Sequence, residues 1–217
     1  MADVRRCIAP APPAPWECVS LVHGFMANTL MLSLLGQRLS RRGYLARPWG
    51  YTNMRCSILV HAEAFAEELA RLDDDRAVGT IHLVTHSMGG IVARAALELH
   101  RPRKLGRFVM LAPPNRGSFV ATAAAGICGG LIRPVAELST SSTSFVNSLG
   151  MPAGVEVGVI AAGRDALVAA DSTRPAVPHA HVTVPCLHSS LLFRRDAADL
   201  VAGFLSDGSF STAGIGG

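Results

Sequence analysis

The stretch HLVTHSMGGIV, from His82 to Val92, joins a β-forming run directly to a helix-forming one. A serine, Ser87, stands at the junction, with a histidine before it and with Gly89 and Gly90 shortly after it. Two interpretations compete: Ser87 is a nucleophile held in a strained turn, or the turn contains a serine incidentally. Both interpretations predict a strand that passes into a helix at this position.

Strand and helix patterns alternate on both sides of this junction. Six short runs rich in apolar and β-branched residues predict strands, at 17–22, 44–49, 80–85, 107–112, 155–161 and 181–185. Apolar residues at helical spacing fill most of the gaps, as do Phe65, Leu69 and Leu72. Parallel neighbours need a crossover, which is usually a helix. The alternation therefore predicts an α/β fold with a mostly parallel sheet of about six strands and helices on both faces.

The 217 residues are 49% hydrophobic and 17% charged, which predicts one globular domain, over 16–207. Residues 1–15 are rich in proline and alanine and predict a flexible lead, and 208–217 predict a flexible tail. The mean hydropathy is +0.32, but no apolar run reaches the ~20 residues of a membrane-spanning helix. This composition leaves peripheral contact with a membrane or a lipid open.

The net charge of +4 comes almost entirely from scattered arginines. Their densest group, at 101–107, falls where a helix is predicted to end, and cations suit a helix C-terminus, so we expect no nucleic-acid partner. The five cysteines lack any metal-ligand spacing, which predicts reduced thiols and no metal. No signal peptide is recognisable, so we expect a cytoplasmic protein, with secretion after processing left open. The sequence does not indicate the oligomeric state.

Residues with catalytic chemistry follow the predicted strands, at the sheet edge where parallel α/β folds bind their ligands. In chain order they are His23-Gly24-Phe25, His86-Ser87, Pro113-Pro114-Asn115, Arg164-Asp165 and His188. Because the carboxyl ends of parallel strands share one edge, these groups are expected to meet there.

Ser87 has most of the features of a nucleophile elbow, G-x-S-x-G. A serine hydroxyl is a weak nucleophile at neutral pH, so it needs a general base and a third group that orients the base. Gly89 occupies the second glycine position of the motif, whereas Thr85 stands at the first. Thr85 is compatible with the turn if its side chain points away from the serine.

Two backbone N–H groups are predicted to form an oxyanion hole. Met88 follows the serine at the start of a predicted helix, and Phe25 follows His23-Gly24 after the first predicted strand. We expect His23, Gly24 and Gly89 to support this arrangement, with His23 bracing the loop that carries Phe25.

Eight histidines compete for the role of general base. Most lie inside a strand, on a helix, beside the nucleophile or at the wrong end of the last strand: His61, His82, His86, His100, His179 and His181. His188 follows the carboxyl end of the last strand, and both its order and its position favour it as the base.

The orienting carboxylate is expected between the serine and the histidine. Asp165, in VIAAGRDALV, directly follows the fifth predicted strand and is favoured. Asp171 is the alternative, although Ser172 and Thr173 beside it make a turn-forming role equally natural.

With Ser87, Asp165 and His188 in this order, the sequence resembles the α/β-hydrolase superfamily, in particular its small bacterial lipase/esterase-like branch. The most distinctive matching segments are HSMGG, at 86–90, and APPNRGS, at 112–118. The resemblance implies the α/β-hydrolase fold and hydrolysis of carboxylic esters through an acyl-enzyme, on a small-molecule or lipid substrate, with no metal or organic cofactor. It does not identify the natural substrate or its acyl chain length.

The segment from 117 to 154, where larger relatives carry a lid, is short and apolar, so we expect a small or absent lid. Its stretch FVATAAAGICGGLI, at 119–132, is either an acyl-binding wall or a core helix. The same triad would also serve an amidase, a thioesterase or an acyltransferase. Thr85 leaves open a different class of function, a binding protein on a catalytically decayed scaffold.

Overall fold

Six strands form one parallel sheet in the computed structural model of the chain, which describes residues 14–52, 56–118, 121, 137–138, 140 and 144–211. They are β1 (Trp16–Val22), β2 (Leu45–Trp49), β3 (Val78–His86), β4 (Leu105–Leu111), β5 (Val157–Ala162) and β6 (Ala180–Val184). The order across the sheet is β2-β1-β3-β4-β5-β6. The predicted α/β class and all six predicted strands are confirmed.

The strand order reverses between β1 and β3, because β2 lies on one side of β1 and the remaining strands lie on the other. Val22 of β1 pairs with Thr85 of β3, so these two strands end at the same level. Ligands of open α/β sheets bind in the crevice at such a reversal. The reversal places the segments around Gly24 and Ser87 next to each other.

Five α-helices connect or follow the strands in the described part of the chain. They are α1 (Ser33–Ser40), α2 (Ile58–Asp74), α3 (Met88–Leu99), α4 (Phe145–Ser148) and α5 (Arg195–Asp207). Short 3-10 turns cover Thr29–Leu32, Ala170–Thr173 and His188–Leu192. None of the helices in these ranges is long and apolar enough to cross a bilayer.

Apolar side chains cover both faces of the sheet, as the near-continuous hydrophobic strands require. Phe65 of α2 and Ile91 of α3 belong to the core on one face. Leu35 of α1 and Phe204 of α5 belong to the core on the other face. Helices therefore lie on both faces, as predicted, and they hold the strand ends in fixed positions.

The structure describes only part of the predicted N-terminal lead, 1–15, and of the predicted C-terminal tail, 208–217. Phe210 packs on Phe204 with ring centroids 4.9 Å apart, so packed chain continues past the predicted boundary at 207. Residues 1–13 and 212–217 lie outside the described residues. The same holds for the predicted acyl wall or core helix at 119–132, apart from Ala121. The predicted lid segment, 117–154, is described only at 117–118, 121, 137–138, 140 and 144–154, so the expectation of a small or absent lid stays a prediction.

Candidate active site

Ser87 is a single strained residue between β3 and α3, with φ +53° and ψ −128°. Non-glycine residues rarely adopt such a conformation, which costs roughly 1–3 kcal/mol and needs a firm scaffold. The scaffold is visible here, since the Ser87 N–H donates to Leu111 O of β4 at 2.8 Å. The strain and the position are those expected of a nucleophile elbow.

Thr85 does not obstruct this turn. Its side chain is buried, and its Oγ1 lies 3.3 Å from the position that a Cβ on Gly90 would occupy. Thr85 therefore lies beneath the first turn of α3, and Gly90 leaves room for it. The departure from the G-x-S-x-G pattern is accommodated by the glycine that follows Gly89.

The glycines at 24 and 89 allow close approach of backbone around the serine. A Cβ on Gly24 would lie 2.8 Å from Ser87 Cβ. A Cβ on Gly89 would lie 2.5 Å from His23 O and 2.7 Å from Val22 O. Side chains at either position would force the end of β1 away from the start of α3.

Gly89→Ala is expected to lower the free energy of unfolding by roughly 2–4 kcal/mol, because the added methyl meets backbone oxygens that cannot rotate away. The measurement is urea denaturation. Gly203→Ala is the matched control, since a Cβ there meets nothing within 4 Å and alanine favours the helix. The free energy of unfolding of that control should rise by roughly 0.5–1 kcal/mol. Equal stability of the two variants would contradict the close approach.

His23 braces the loop that follows β1. Its Nδ1–H donates to Gly24 O at 2.9 Å, and its Nε2 accepts from Tyr51 N at 3.3 Å. Tyr51 Oη donates to His23 O at 2.9 Å, and the two rings stack 4.4 Å apart. Burial lowers the pKa of His23, which keeps the imidazole neutral. The sequence did not predict this role for Tyr51. Its position after β2 and its hydroxyl, a polar group that can bond beside a buried histidine, were the available signals.

Phe25 and Met88 occupy the positions expected of oxyanion donors. Met88 is the buried first residue of α3, and the first N–H groups of a helix have no acceptor within the helix. Phe25 follows Gly24 and lines the cavity in front of Ser87. Their role as donors stays a prediction.

Asp165 and His188 form a tight hydrogen-bonded pair. The Nδ1–H of His188 donates to Oδ2 of Asp165 at 2.6 Å, and the Asp165 side chain is 2% exposed. Oδ1 of the same carboxylate accepts from Leu167 N at 2.8 Å and Val168 N at 3.0 Å. The alternative acid, Asp171, lies in the following 3-10 turn. Between the two candidates, the contact with His188 belongs to Asp165.

The charge of Asp165 is stabilised locally. Burial raises the pKa of this carboxyl, but the His188 hydrogen bond, the charge of His188 and the two backbone N–H groups lower it by more. Asp165 is therefore an anion at neutral pH. Its hydrogen bond fixes the proton of His188 on Nδ1 and leaves Nε2 free to accept a proton.

Ser87 and His188 line one cavity at the carboxyl ends of the strands. Among the described residues no hydrogen bond joins their side chains, and such bonds are commonly long in ligand-free sites. The cavity has a volume of about 430 Å³. Most of its lining is apolar and includes Phe25, Met31, Leu138, Leu167 and Val168.

His86 supports His188 from behind. Its Nε2–H donates to the His188 carbonyl at 3.3 Å, and the two rings lie 4.9 Å apart. Burial, helped by the nearby His188, lowers the pKa of His86 to about 3, so this ring stays neutral. The sequence correctly placed His86 beside the nucleophile but did not predict this contact, because His86 and His188 are 102 positions apart in the chain.

Acid is expected to destabilise the protein below about pH 6.5, the pKa of an unfolded histidine. Burial lowers the pKa of His86 to about 3, and burial with the nearby Arg174 lowers that of His181 to about 4. Between these values and 6.5 the unfolded chain binds more protons than the folded one, so acid favours unfolding. Each such histidine contributes a slope of up to roughly 1.4 kcal/mol per pH unit.

Urea denaturation at pH 7, 6, 5 and 4 measures this slope. His181→Gln should reduce it, since glutamine keeps a donor for Thr173 Oγ1, which lies 3.0 Å from His181 Nε2. A slope unchanged by this substitution would contradict a partly buried, neutral His181.

Solved structures with similar architecture come from several lipases and esterases. The mature lipase BlEst2 of Bacillus licheniformis matches with a TM-score of 0.63 and 17% identity, covering 83% of this chain and 88% of that chain. Phospholipase PlaB of Legionella pneumophila matches with a TM-score of 0.73 and 18% identity, covering 90% of this chain and 60% of that chain. The metagenomic carboxyl esterase MGS0156 matches with a TM-score of 0.67 and 19% identity, covering 85% of this chain and 69% of that chain. The chain has the α/β-hydrolase fold.

The α/β-hydrolase fold agrees with the predicted resemblance, whereas sequence similarity to known proteins is weak. A Mycoplasma pneumoniae protein named "Putative esterase/lipase 3" is 27% identical over 110 residues, which cover 48% of this chain and 39% of that relative. The chain therefore matches well under half the length of that protein. No protein-family model matches the chain.

Proposed function

We propose that the protein is a serine hydrolase that cleaves carboxylic esters. The observation that carries the proposal is the 2.6 Å hydrogen bond between Asp165 and His188, beside a serine held in the strained elbow conformation. Lipases and esterases among proteins of the same fold, and the weakly similar esterase/lipase, support this class of reaction.

In the proposed reaction the Ser87 oxygen attacks the ester carbonyl carbon while its proton passes to Nε2 of His188. Asp165 stabilises the imidazolium that forms. The N–H groups of Phe25 and Met88 stabilise the negative charge on the former carbonyl oxygen. His188 then protonates the departing alcohol, leaving an acyl-serine, and a water molecule activated by the same imidazole hydrolyses this ester.

The lining of the active-site cavity supports an apolar acyl group. About 430 Å³ holds roughly fourteen groups of water size, at ~30 Å³ each, which is enough for a medium-length acyl ester. Exposed apolar side chains stand at the cavity: Met26, which lines it, is 73% exposed, and Leu187, which precedes His188, is 62% exposed. They support peripheral contact with a lipid surface as part of the same proposal.

The first experiment is labelling with a fluorophosphonate probe, which separates the hydrolase from a decayed binding protein. A functional elbow serine forms a covalent adduct with the probe, and peptide mapping should locate it at Ser87. Absence of labelling in folded protein would favour the binding protein.

A panel of p-nitrophenyl esters from two to sixteen acyl carbons tests the substrate class. We expect kcat/KM to rise roughly fourfold with each methylene that the cavity buries and to level off near eight carbons. Matched anilides and thioesters identify an amidase or a thioesterase, and added alcohol acceptors identify an acyltransferase. A faster reaction with any of these than with the ester would replace the ester hydrolase by that activity.

A further inference from the structure

Arg94 of α3 is a buried cation, 4% exposed, whose partners are all neutral. Its Nε donates to Gly150 O at 3.1 Å, and its Nη2 donates to Leu149 O. Its Nη1 donates to Asn115, to the carbonyl at 3.4 Å and to Oδ1 at 3.1 Å. A guanidinium has five N–H donors, so one N–H on Nη2 is left over.

No carboxylate pairs with Arg94 in the part of the chain that the structure describes. Glu98 lies one turn further along α3, but its Oε1 accepts from Gly150 N at 2.7 Å. Burial lowers the pKa of Arg94 to about 10, against the opposing effect of Glu98, so the side chain is charged at neutral pH. A buried charge without a bonded counter-ion is costly.

A separate cavity of about 170 Å³ lies against Arg94. Arg116 and Arg174 line the same cavity, and none of its described lining residues is an aspartate or a glutamate. The volume corresponds to five or six groups of water size, which matches the five heavy atoms of a tetrahedral oxyanion. We call this space the Arg94 cavity.

Besides α3 and α4, three loop segments line the Arg94 cavity: 115–116 after β4, 149–151 after α4, and 174–177 before β6. The first segment is already bonded to the two residues that precede the third. Arg116 N donates to Ser172 O at 3.0 Å, and Asn115 Nδ2 donates to Thr173 O at 2.7 Å. An anion held by the three arginines would join all three segments and offset much of the positive charge of the arginines.

We propose that the Arg94 cavity binds an oxyanion of the phosphate class, either free phosphate or the phosphoryl group of a small monoester. Guanidinium groups match the oxygens of such anions in planar, paired hydrogen bonds. The cavity shares no lining residue with the Ser87 cavity. This proposal therefore stands independently of the proposed esterase activity.

Thermal unfolding in a phosphate-free buffer tests the site, with inorganic phosphate titrated at constant ionic strength set by sodium chloride. Phosphate at a hundred times its Kd should raise Tm by roughly 5–10 °C. Glycerol 3-phosphate, titrated in parallel, distinguishes the two sources. A rise with both compounds assigns phosphate monoesters as ligands, and a rise with inorganic phosphate alone assigns the free ion.

Arg116→Gln and Arg174→Gln are the test variants, because both residues are exposed and their loss leaves the hydrogen bonds of Arg94 intact. Each should weaken phosphate binding at least tenfold with little change in the phosphate-free Tm. Arg76→Gln removes the same charge from an exposed position outside the cavity and should keep the wild-type affinity. Absence of a saturable phosphate effect in the wild type, or equal affinities in all three variants, would overturn the proposal.

Discussion

Ser87→Ala is expected to lower kcat/KM for p-nitrophenyl esters by roughly 10⁴–10⁶-fold, because the substitution removes the nucleophile of the proposed reaction. The fold should be unaffected, since alanine is no more strained than serine at φ +53°. The Ser87 side chain also makes no hydrogen bond within the described residues that the substitution would break. Stability should stay within about 0.5 kcal/mol of the wild type.

Steady-state hydrolysis and fluorophosphonate labelling measure the effect of this substitution together. Ser40→Ala, at the end of α1, removes a hydroxyl remote from the cavity and should leave both readouts unchanged. If Ser87→Ala kept more than a tenth of the wild-type activity, the assignment of Ser87 as the nucleophile would be wrong.

Asp165→Asn is expected to lower kcat/KM by roughly 10³–10⁴-fold while the protein stays folded. The amide oxygen can still accept from Leu167 N and Val168 N, as Oδ1 of the carboxylate does. The amide NH₂ would then face Nδ1 of His188 and favour the tautomer with its proton on Nε2. In that tautomer His188 cannot accept the proton of Ser87.

Asp171→Asn is the matched control for this substitution. It removes the same charge from the same loop, but Asp171 has no contact with His188 in the described structure, so we expect less than a threefold change. A larger loss in Asp171→Asn than in Asp165→Asn would reverse the assignment of the acid.

Most of the fold was predictable because buried strands can be recognised from short stretches of sequence. In a parallel sheet covered on both faces, strands such as β3 and β5 are buried along nearly their whole length and are rich in apolar residues. Turn-forming residues and helical periodicity separate them. The six strands follow from this pattern, whereas the packing of Phe210 on Phe204 does not, since it depends on where α5 ends in space.

The site was predictable only in its outline. Ser87, Asp165 and His188 follow from chain order and from their places at strand ends, and their catalytic roles stay predictions. The sequence favoured Asp165 over Asp171 without excluding Asp171, since both follow β5, and only the folded loop shows that Asp165 contacts His188. Tyr51 and His86 were missed because their hydrogen bonds join residues 28 and 102 positions apart.

Hydrophobic periodicity was enough to determine the parallel α/β sheet, and the order of polar residues along the chain was enough to select the strand ends at which Ser87, Asp165 and His188 lie. Tertiary structure alone showed the contact between Asp165 and His188, the stacking of Tyr51 on His23, and the three arginines around one small cavity. The physical reason is the separation along the chain between the residues that interact. Secondary structure follows from contacts within a few residues, whereas hydrogen-bond partners and buried charges are set by the meeting of loops that no local pattern connects.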